Sequence, residues 1–330
     1  MLARGSPIAV ANLPPMRDKH CTMVSTSDDR ALAKTIEILG NDGVVALPTE
    51  TVYGLGAAVS SERAVARVFE IKGRPRTHPL IVHLAHPGEI VNYSDQISAD
   101  ALLCANSCWP GPFTMLVRRN DTVPADVVGG SDLVALRVPA NSFTRGVISL
   151  LGNPVAAPSA NLFGKVSPTT AQHVCEDLGR LVDLIVDDGP CTVGVESTII
   201  DFTEERARLV RPGGLPIEDI SRLLGYQVEY VDKSPAAPGT LPVHYQPRAE
   251  VRLLAPEEDP DDLAASLRRR GRHVVILRHI DTPALLASTL YSQLRAADDQ
   301  RADVIIAKLP STTGLGLAIR DRLQRAAARP

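Results

Sequence analysis

The sequence predicts an α/β protein of two unequal domains joined by a proline-rich linker. Three observations carry this. Up to Gly225, short apolar runs outnumber helical stretches, which calls for a mixed sheet. Pro235, Pro238, Pro242 and Pro247 then interrupt residues 233–248, too densely for a helix or a central strand. From Glu250 to Ala327 strand and helix signals alternate, the pattern of a small three-layer unit with a parallel sheet. With 330 residues and 44% hydrophobic content, the chain is long enough to build two cores. The expected divisions are an extension over residues 1–26, a larger domain over 27–225, a linker over 226–248 and a smaller domain over 249–330.

In chain order, residues 1–26 contain prolines and no periodicity, so they are expected outside the fold. Asp28–Leu39 reads as an amphipathic helix closed by Gly40. Val44–Leu47 is a short apolar run ended by Pro48, a buried strand, and Thr49–Gly56 reads as a tight loop. Ser61–Ile71 carries a helix signature: Ser61 caps it, Glu62 lies in its first turn, and Ala64, Val65, Val68, Phe69 and Ile71 share one broad face. Gly73 and Pro75 stop it. Further strands are expected at Leu80–Leu84, Phe113–Arg118, Leu133–Val138, Val155–Ala157, Leu184–Asp187, Thr198–Phe202 and Ala207–Val210. Helices intervene at Ala99–Ser107, Thr169–Leu178 and Ile217–Leu224. In the smaller domain, strands Glu250–Leu254, His273–Leu277 and Asp303–Ala307 alternate with helices Asp261–Arg270, Pro283–Ala296 and Gly314–Ala327.

Composition narrows the function classes. The 35 basic and 38 acidic residues leave a net charge of −3, which argues against a protein that coats nucleic acid. No apolar run approaches the ~20 residues needed to span a bilayer. The N-terminus has no charged segment leading into an apolar core. A cytoplasmic protein without membrane contact is expected. The five cysteines, Cys21, Cys104, Cys108, Cys175 and Cys191, include no C-x-x-C pair, so disulfides are not expected. Cys104 and Cys108 read as small buried apolar residues and not as zinc ligands. No metal is assigned to protein side chains.

Several motifs are missing. Gly164-Lys165-Val166-Ser167 lacks the upstream glycine of a P-loop, and no serine sits in a G-x-S-x-G elbow. Gly54-Leu55-Gly56 and Gly314-Leu315-Gly316 are each half of a dinucleotide fingerprint. What remains is a set of polar residues at element ends. Lys72 and Arg74 follow a helix C-terminus, where the dipole favours cations whatever the function. Arg137 interrupts an apolar strand and must be paired or face a cleft. Ser159 and Asn161 close another apolar strand and serve equally well as turn formers, as Ser167 does as a helix cap. Glu196-Ser197-Thr198 opens one strand, and Arg211-Pro212-Gly213 ends the next. Together, four cations, several hydroxyls and a glycine-rich backbone suit a polyanionic ligand.

These residues form a recognisable series. P-T-E-T-V-Y-G-L-G (Pro48–Gly56), the K-x-R of Lys72 and Arg74, P-L-I-V-H (Pro79–His83), W-P-G-P-F-T (Trp109–Thr114), R-V-P (Arg137–Pro139), S-x-N (Ser159, Asn161), E-S-T-I-I-D (Glu196–Asp201) and R-P-G (Arg211–Gly213) resemble the YrdC-type threonylcarbamoyl-AMP synthases. The linker with His244-Tyr245 and the C-terminal T-T-G-L-G-x-A-I-x-D-R-L (Thr312–Leu323) resemble the longer branch of that family, so the resemblance implies a YrdC-like domain followed by a Rossmann-like one. It also implies synthesis of threonylcarbamoyl adenylate from L-threonine, bicarbonate and ATP, with release of pyrophosphate, as the first step toward threonylcarbamoyladenosine in tRNA.

By the same resemblance, Lys72, Arg74, His78, Ser159, Asn161, Ser167 and Arg211 would hold ATP, with Tyr245 and His244 closing over it from the linker. The equal alternative for that pair is a packed linker anchor. Here Ala237-Pro238-Gly239-Thr240-Leu241-Pro242 precedes the pair where the family usually carries a more basic segment. Thr51, His83, Arg137 and Ser197 would hold threonine and its carbamate. No residue is expected to act as a covalent nucleophile, and magnesium would arrive with ATP. The implied partners are these substrates, tRNA and a downstream threonylcarbamoyl transferase complex. Two other readings fit part of the pattern. One is an RNA-binding module of the same fold without synthase activity. The other is a carbamoyl-transfer enzyme, which would add zinc-finger cysteine pairs that this sequence lacks.

Overall fold

The computed structural model describes residues 21–231, 244–255, 257–278 and 282–328. Its larger unit is an 11-stranded mixed sheet with helices packed on it. The sheet starts earlier than expected: β1 (Met23–Ser25) lies inside the segment read as an extension and pairs in parallel with β8 (Leu184–Asp187). The pairing partner is far away in sequence, so no local pattern could reveal it. The same strand brings Cys21 beside α5 (Ala171–Leu178), where it is disulfide-bonded to Cys175. The expectation of no disulfide is thus corrected.

After α1 (Ala31–Gly40) the chain enters β2 (Val45–Leu47), which also pairs with β8. The Thr49–Gly56 stretch is only partly a loop. Gly54–Ala58 forms β3, fully buried and antiparallel to β2 and to β7 (Val155–Ala156). Its glycines hid it from a propensity reading, yet packing requires one of them: a Cβ on Gly56 would lie 2.9 Å from a Val155 methyl and 3.0 Å from a Leu47 methyl.

The helix expected next is α2 (Glu62–Lys72). Ser61 Oγ accepts the Ala64 amide, and Gly73 ends the helix at φ 62°, as αL caps do. Between β4 (Ile81–His83) and the later strands come α3 (Ala99–Cys108), β5 (Phe113–Arg118) and β6 (Leu133–Arg137). Helix α4 (Ser142–Leu151) was not expected, because Gly146 and its β-branched residues weaken the local signal. Asn141 nevertheless caps it through the Thr144 amide. The sheet closes with β9 (Thr198–Asp201), β10 (Arg208–Arg211), helix α6 (Ile217–Leu224) and β11 (Glu229–Tyr230), a short strand inside the stretch expected to be linker.

The smaller unit has the predicted three layers. Its strands β12 (Glu250–Leu253), β13 (Val274–Ile276) and β14 (Val304–Ala307) are all parallel, in the order β12-β14-β13. Helix α7 (Pro260–Arg269) covers one face through Ala264, Leu263 and Leu267. Helices α8 (Pro283–Asp299) and α9 (Leu315–Ala327) cover the other.

The two units share a core. Leu286, Leu290, Tyr291, Ile319 and Leu323 of the smaller unit pack in one apolar cluster with Val52, Val166 and Val195 of the larger one and with Tyr245. Polar contacts frame it. Arg295 grips Asp177 through both terminal nitrogens, at 3.0 and 2.5 Å, and donates to the Val166 carbonyl at 2.6 Å. Removing one partner of a mostly buried pair strands the other, so Arg295→Ala is expected to cost about 2–4 kcal/mol. Urea unfolding measures this, and wild-type stability would contradict the interface as described.

Candidate active site

One cleft gathers most of the singled-out residues. Ile81 and His83, two apart on β4, share a face, and Arg137 is the direct register neighbour of His83. Thr51, Arg74, Ser159, Glu196, Ser197, Arg211, His244 and Tyr245 line the remaining walls. The free volume inside is about 60 Å³, far below the ~300–1,000 Å³ of typical small-molecule pockets. His244 and Tyr245 form part of its wall.

The threonine-rich turn is organised by one hydroxyl. Thr49 Oγ1 donates to the Val52 carbonyl at 2.7 Å and lies 2.8 Å from Thr51 Oγ1. A hydroxyl has one proton, so Thr51 donates to Thr49 and keeps its acceptor lone pairs for the cleft. Glu50, between them, was not singled out from the sequence. It accepts from Arg137 Nη2 at 2.7 Å and from the Ala140 amide at 2.9 Å, which fixes the Arg137 guanidinium against the cleft wall. The only sequence signal was a carboxylate beside an apolar strand end.

His83 Nδ1 sits 3.2 Å from the Ile81 carbonyl. A carbonyl only accepts, so the tautomer that pairs with Ile81 carries its proton on Nδ1. Burial and then the nearby Arg137 charge push this imidazole down to about 3. Ser197 is held by Arg211, whose Nη2 reaches its carbonyl at 2.8 Å and its hydroxyl at 3.1 Å, and by Thr114 at 2.7 Å. Gly213 permits this approach, since a Cβ there would meet Glu196 O, Ser197 C and Thr198 N, each at 2.3 Å.

Four of the residues expected to contact the ligand, Lys72, His78, Asn161 and Ser167, are not among those lining the cleft. Lys72 is buried, and its ammonium donates to the carbonyls of Ser159 at 2.5 Å and Asn161 at 2.7 Å. It shapes the turn that carries Ser159 and does not face the cleft directly. Burial, with Arg74 nearby, pushes its pKa well below the usual lysine range. Asn161 accepts from Ser159 Oγ at 2.6 Å and donates to Lys165 O at 2.7 Å. Ser167 is a donor to Glu196 Oε1 at 2.6 Å. His78 is half-buried and edge-on to Phe163. Arg74 lies over that same ring and donates to Pro79 O at 2.8 Å. Burial and the Arg211 charge lower its pKa to about 10.

Tyr245 is 1% exposed, adopts φ 60°, and its hydroxyl has no hydrogen-bond partner among the described residues. A buried donor without a partner costs about 1–3 kcal/mol, and positive φ at an aromatic residue is costly as well. Both features sit at the wall of the cleft. Burial pushes the phenol up to about 12. Among the described residues no cluster of His, Cys, Asp and Glu is arranged to hold a metal.

Comparison with known proteins accounts for this arrangement. The family model described as "Telomere recombination" (Sua5/YciO/YrdC) matches residues 37–213, and the one described as "Threonylcarbamoyl-AMP synthase, C-terminal domain" matches 215–328. The threonylcarbamoyl-AMP synthase of Pyrococcus abyssi is 40% identical over 86% of this chain and 90% of its own. The chain belongs to the threonylcarbamoyl-AMP synthase family. The Bacillus subtilis synthase is 35% identical over 92% of this chain and 94% of its own. A solved structure of the P. abyssi protein complexed with L-threonine superposes with a TM-score of 0.87, covering 93% of this chain and 97% of that one. Both units of this synthase-family chain are thus shared with that structure. No helix among the described residues is long and apolar enough to cross a membrane.

The buried histidines give this family member a testable acid sensitivity. Burial holds His83 and His244 down to about 3, while an unfolded histidine titrates near ~6.5. Between those values the unfolded chain binds more protons. Stability is therefore fully present above about pH 6.5 and falls as pH drops toward 3. The melting temperature should decline from pH 7 to pH 5, and less steeply in His83→Asn and His244→Asn. An unchanged slope in both variants would contradict the assignment.

Proposed function

We propose that the protein condenses L-threonine, bicarbonate and ATP into threonylcarbamoyl-AMP and pyrophosphate, the first step of threonylcarbamoyladenosine formation in tRNA. The observation that carries this reading is the character of the cleft: buried cations and hydroxyls converge, with few carboxylates to offset them. Three anionic species, a carboxylate, a carbamate and a triphosphate, must be brought together in this reaction. Unit charges ~4 Å apart repel by about 4 kcal/mol at an effective dielectric near 20, so a site for it needs such an excess of positive charge.

The chemistry follows from position and charge. The threonine amine attacks bicarbonate, giving an N-carboxylate with loss of water. A carboxylate oxygen then attacks the α-phosphorus of ATP, and the bond to pyrophosphate breaks. Arg137, fixed by Glu50, pairs with the threonine carboxylate. The Thr51 and Ser197 hydroxyls and the His83 imidazole orient its amine and hydroxyl. Arg74, Arg211 and Ser159 face the phosphates, while Lys72, Asn161 and Ser167 hold the turns that present them. The Tyr245 hydroxyl, once the nucleotide is admitted, has a phosphate oxygen to donate to. Magnesium enters with ATP as part of the substrate. No protein nucleophile is needed, because alignment and charge stabilisation suffice for in-line phosphoryl chemistry.

The product is a mixed anhydride and needs a prompt acceptor, which points to a downstream transferase complex acting on tRNA, in the cytoplasm. The Cys21–Cys175 disulfide is unusual for that compartment. The alternative of an RNA-binding module without synthase activity gains no support, since the full-length relatives carry the synthase name.

Pyrophosphate release from ATP should require both threonine and bicarbonate. Release that ignores threonine, or none at all, sinks the proposal. Each charge-assisted contact is worth about 1.5–3 kcal/mol. Arg74→Ala should therefore raise KM for ATP roughly 10- to 150-fold with little change for threonine, and Arg137→Ala the reverse. Identical effects of the two variants on both substrates would contradict the division of the cleft.

A further inference from the structure

The C-terminal motif containing Asp321-Arg322 has no place in the chemistry so far, yet Arg322 is among the largest side chains fully buried in the protein. It projects from α9 into the larger domain. Its Nε donates to Glu196 Oε2 at 2.7 Å, and its Nη2 donates to the Pro212 carbonyl at 3.0 Å. Its guanidinium carbon lies 5.0 Å from the centre of the Tyr245 ring. Asp321 accepts from Arg322 Nη1 and, at 2.9 Å, from Arg325. Tyr291 on α8 works beside it, donating to Glu196 Oε2 at 2.8 Å and stacking on Tyr245 with ring centres 5.8 Å apart.

Three of the groups that Arg322 touches, Glu196, Pro212 and Tyr245, lead to the cleft. Glu196 accepts on its other oxygen from Ser167, which holds one of the turns that present the phosphate-facing groups. Pro212 follows Arg211. Tyr245 is itself a wall of the cleft. Arg322 is not among the residues lining that cleft.

We propose that Arg322, supported by Tyr291, is a positioning residue for ATP. From the C-terminal domain it fixes Glu196, the Arg211–Pro212 turn and Tyr245 in one relative arrangement. The catalytic domain of the two-domain chain is then incomplete without its neighbour, because the neighbour sets where three elements of the cleft wall stand. The inference rests on the synthase reading. A guanidinium is needed and not merely a charge, since one planar fork serves a carboxylate, a carbonyl and a ring face at once. Among the described residues, Thr51, His83 and Arg137, the threonine contacts on the far wall, make no hydrogen bond or ion pair with Arg322, so they stay in place when it changes.

The test uses the full-length chain. Arg322→Lys keeps the charge and loses the fork, and Tyr291→Phe removes one donor to Glu196 and keeps the stack. Steady-state KM for ATP is measured alongside threonine affinity from titration without ATP, with melting temperature as a check on folding. Arg322→Lys is expected to raise KM for ATP at least 10-fold, and Tyr291→Phe to raise it by a smaller factor, with threonine affinity within 2-fold of wild type. A purely structural role would lower melting temperature and leave KM for ATP unchanged in the folded fraction, and that result overturns the proposal. If Arg322→Lys does not fold, Tyr291→Phe decides alone, in the same sense. Wild-type protein that releases no threonine-dependent pyrophosphate would instead overturn the synthase reading on which the inference rests.

Discussion

The Glu196 carboxylate is buried against Arg322 and within the field of Arg211, and the arrangement of the cleft depends on it. Burial alone would raise its pKa, but Arg322 and Arg211 more than offset this and hold it down to about 2. The carboxylate therefore stays charged and keeps accepting from Ser167, Tyr291 and Arg322 together. Without it, the buried guanidinium of Arg322 would be left with Asp321, which it already shares with Arg325. Removing one member of such a set leaves a desolvated charge behind, which is why these groups act as a unit.

The same electrostatics explain what the cleft lacks. Lys72, Arg74, Arg137 and Arg211 are all buried, and the carboxylates that act on them include Glu50 beside Arg137, Glu196 near Arg211 and Asp177 near Lys72. Burial lowers the pKa of Lys72, Arg74 and Arg211, and neighbouring cations lower them further. Charges kept close in a dry region are costly in the free protein. They become favourable when a ligand supplies the missing negative charge. The Tyr245 hydroxyl, without a hydrogen-bond partner among the described residues, and its positive φ belong to the same account. They store local cost where a ligand can relieve it.

How much of this was legible in the sequence depended on distance along the chain. Helix α2 was legible because Ser61, a continuous apolar face and Gly73 all act locally. The alternating C-terminal domain was legible for the same reason. Strand β3 was hidden because burial, and not propensity, makes Gly54–Ala58 extended, and β1 was hidden because its partner β8 lies far along the chain. In the cleft, the motifs marked Thr51, Arg74, Arg137, Ser159, Ser197 and Arg211 as residues to bring together. Their partners were not marked: Glu50 meets Arg137 across 87 positions, and Glu196 meets Arg322 across 126. Lys72 shows the remaining difficulty. A cation after a helix C-terminus gives no sign that it will hold the carbonyls of Ser159 and Asn161.

The central claim is that the cleft holds an excess of buried positive charge awaiting a polyanion. Proton linkage on nucleotide binding tests it most directly. At about pH 9.5 the phosphates of ATP are fully ionised, so any proton change on binding comes from the protein. Titration calorimetry with magnesium-ATP in two buffers of different ionisation enthalpy reads that change. The account predicts net proton uptake, as the bound triphosphate favours the charged form of Arg74, whose pKa burial lowers to about 10. Binding with proton release, or with no dependence on buffer, would contradict it.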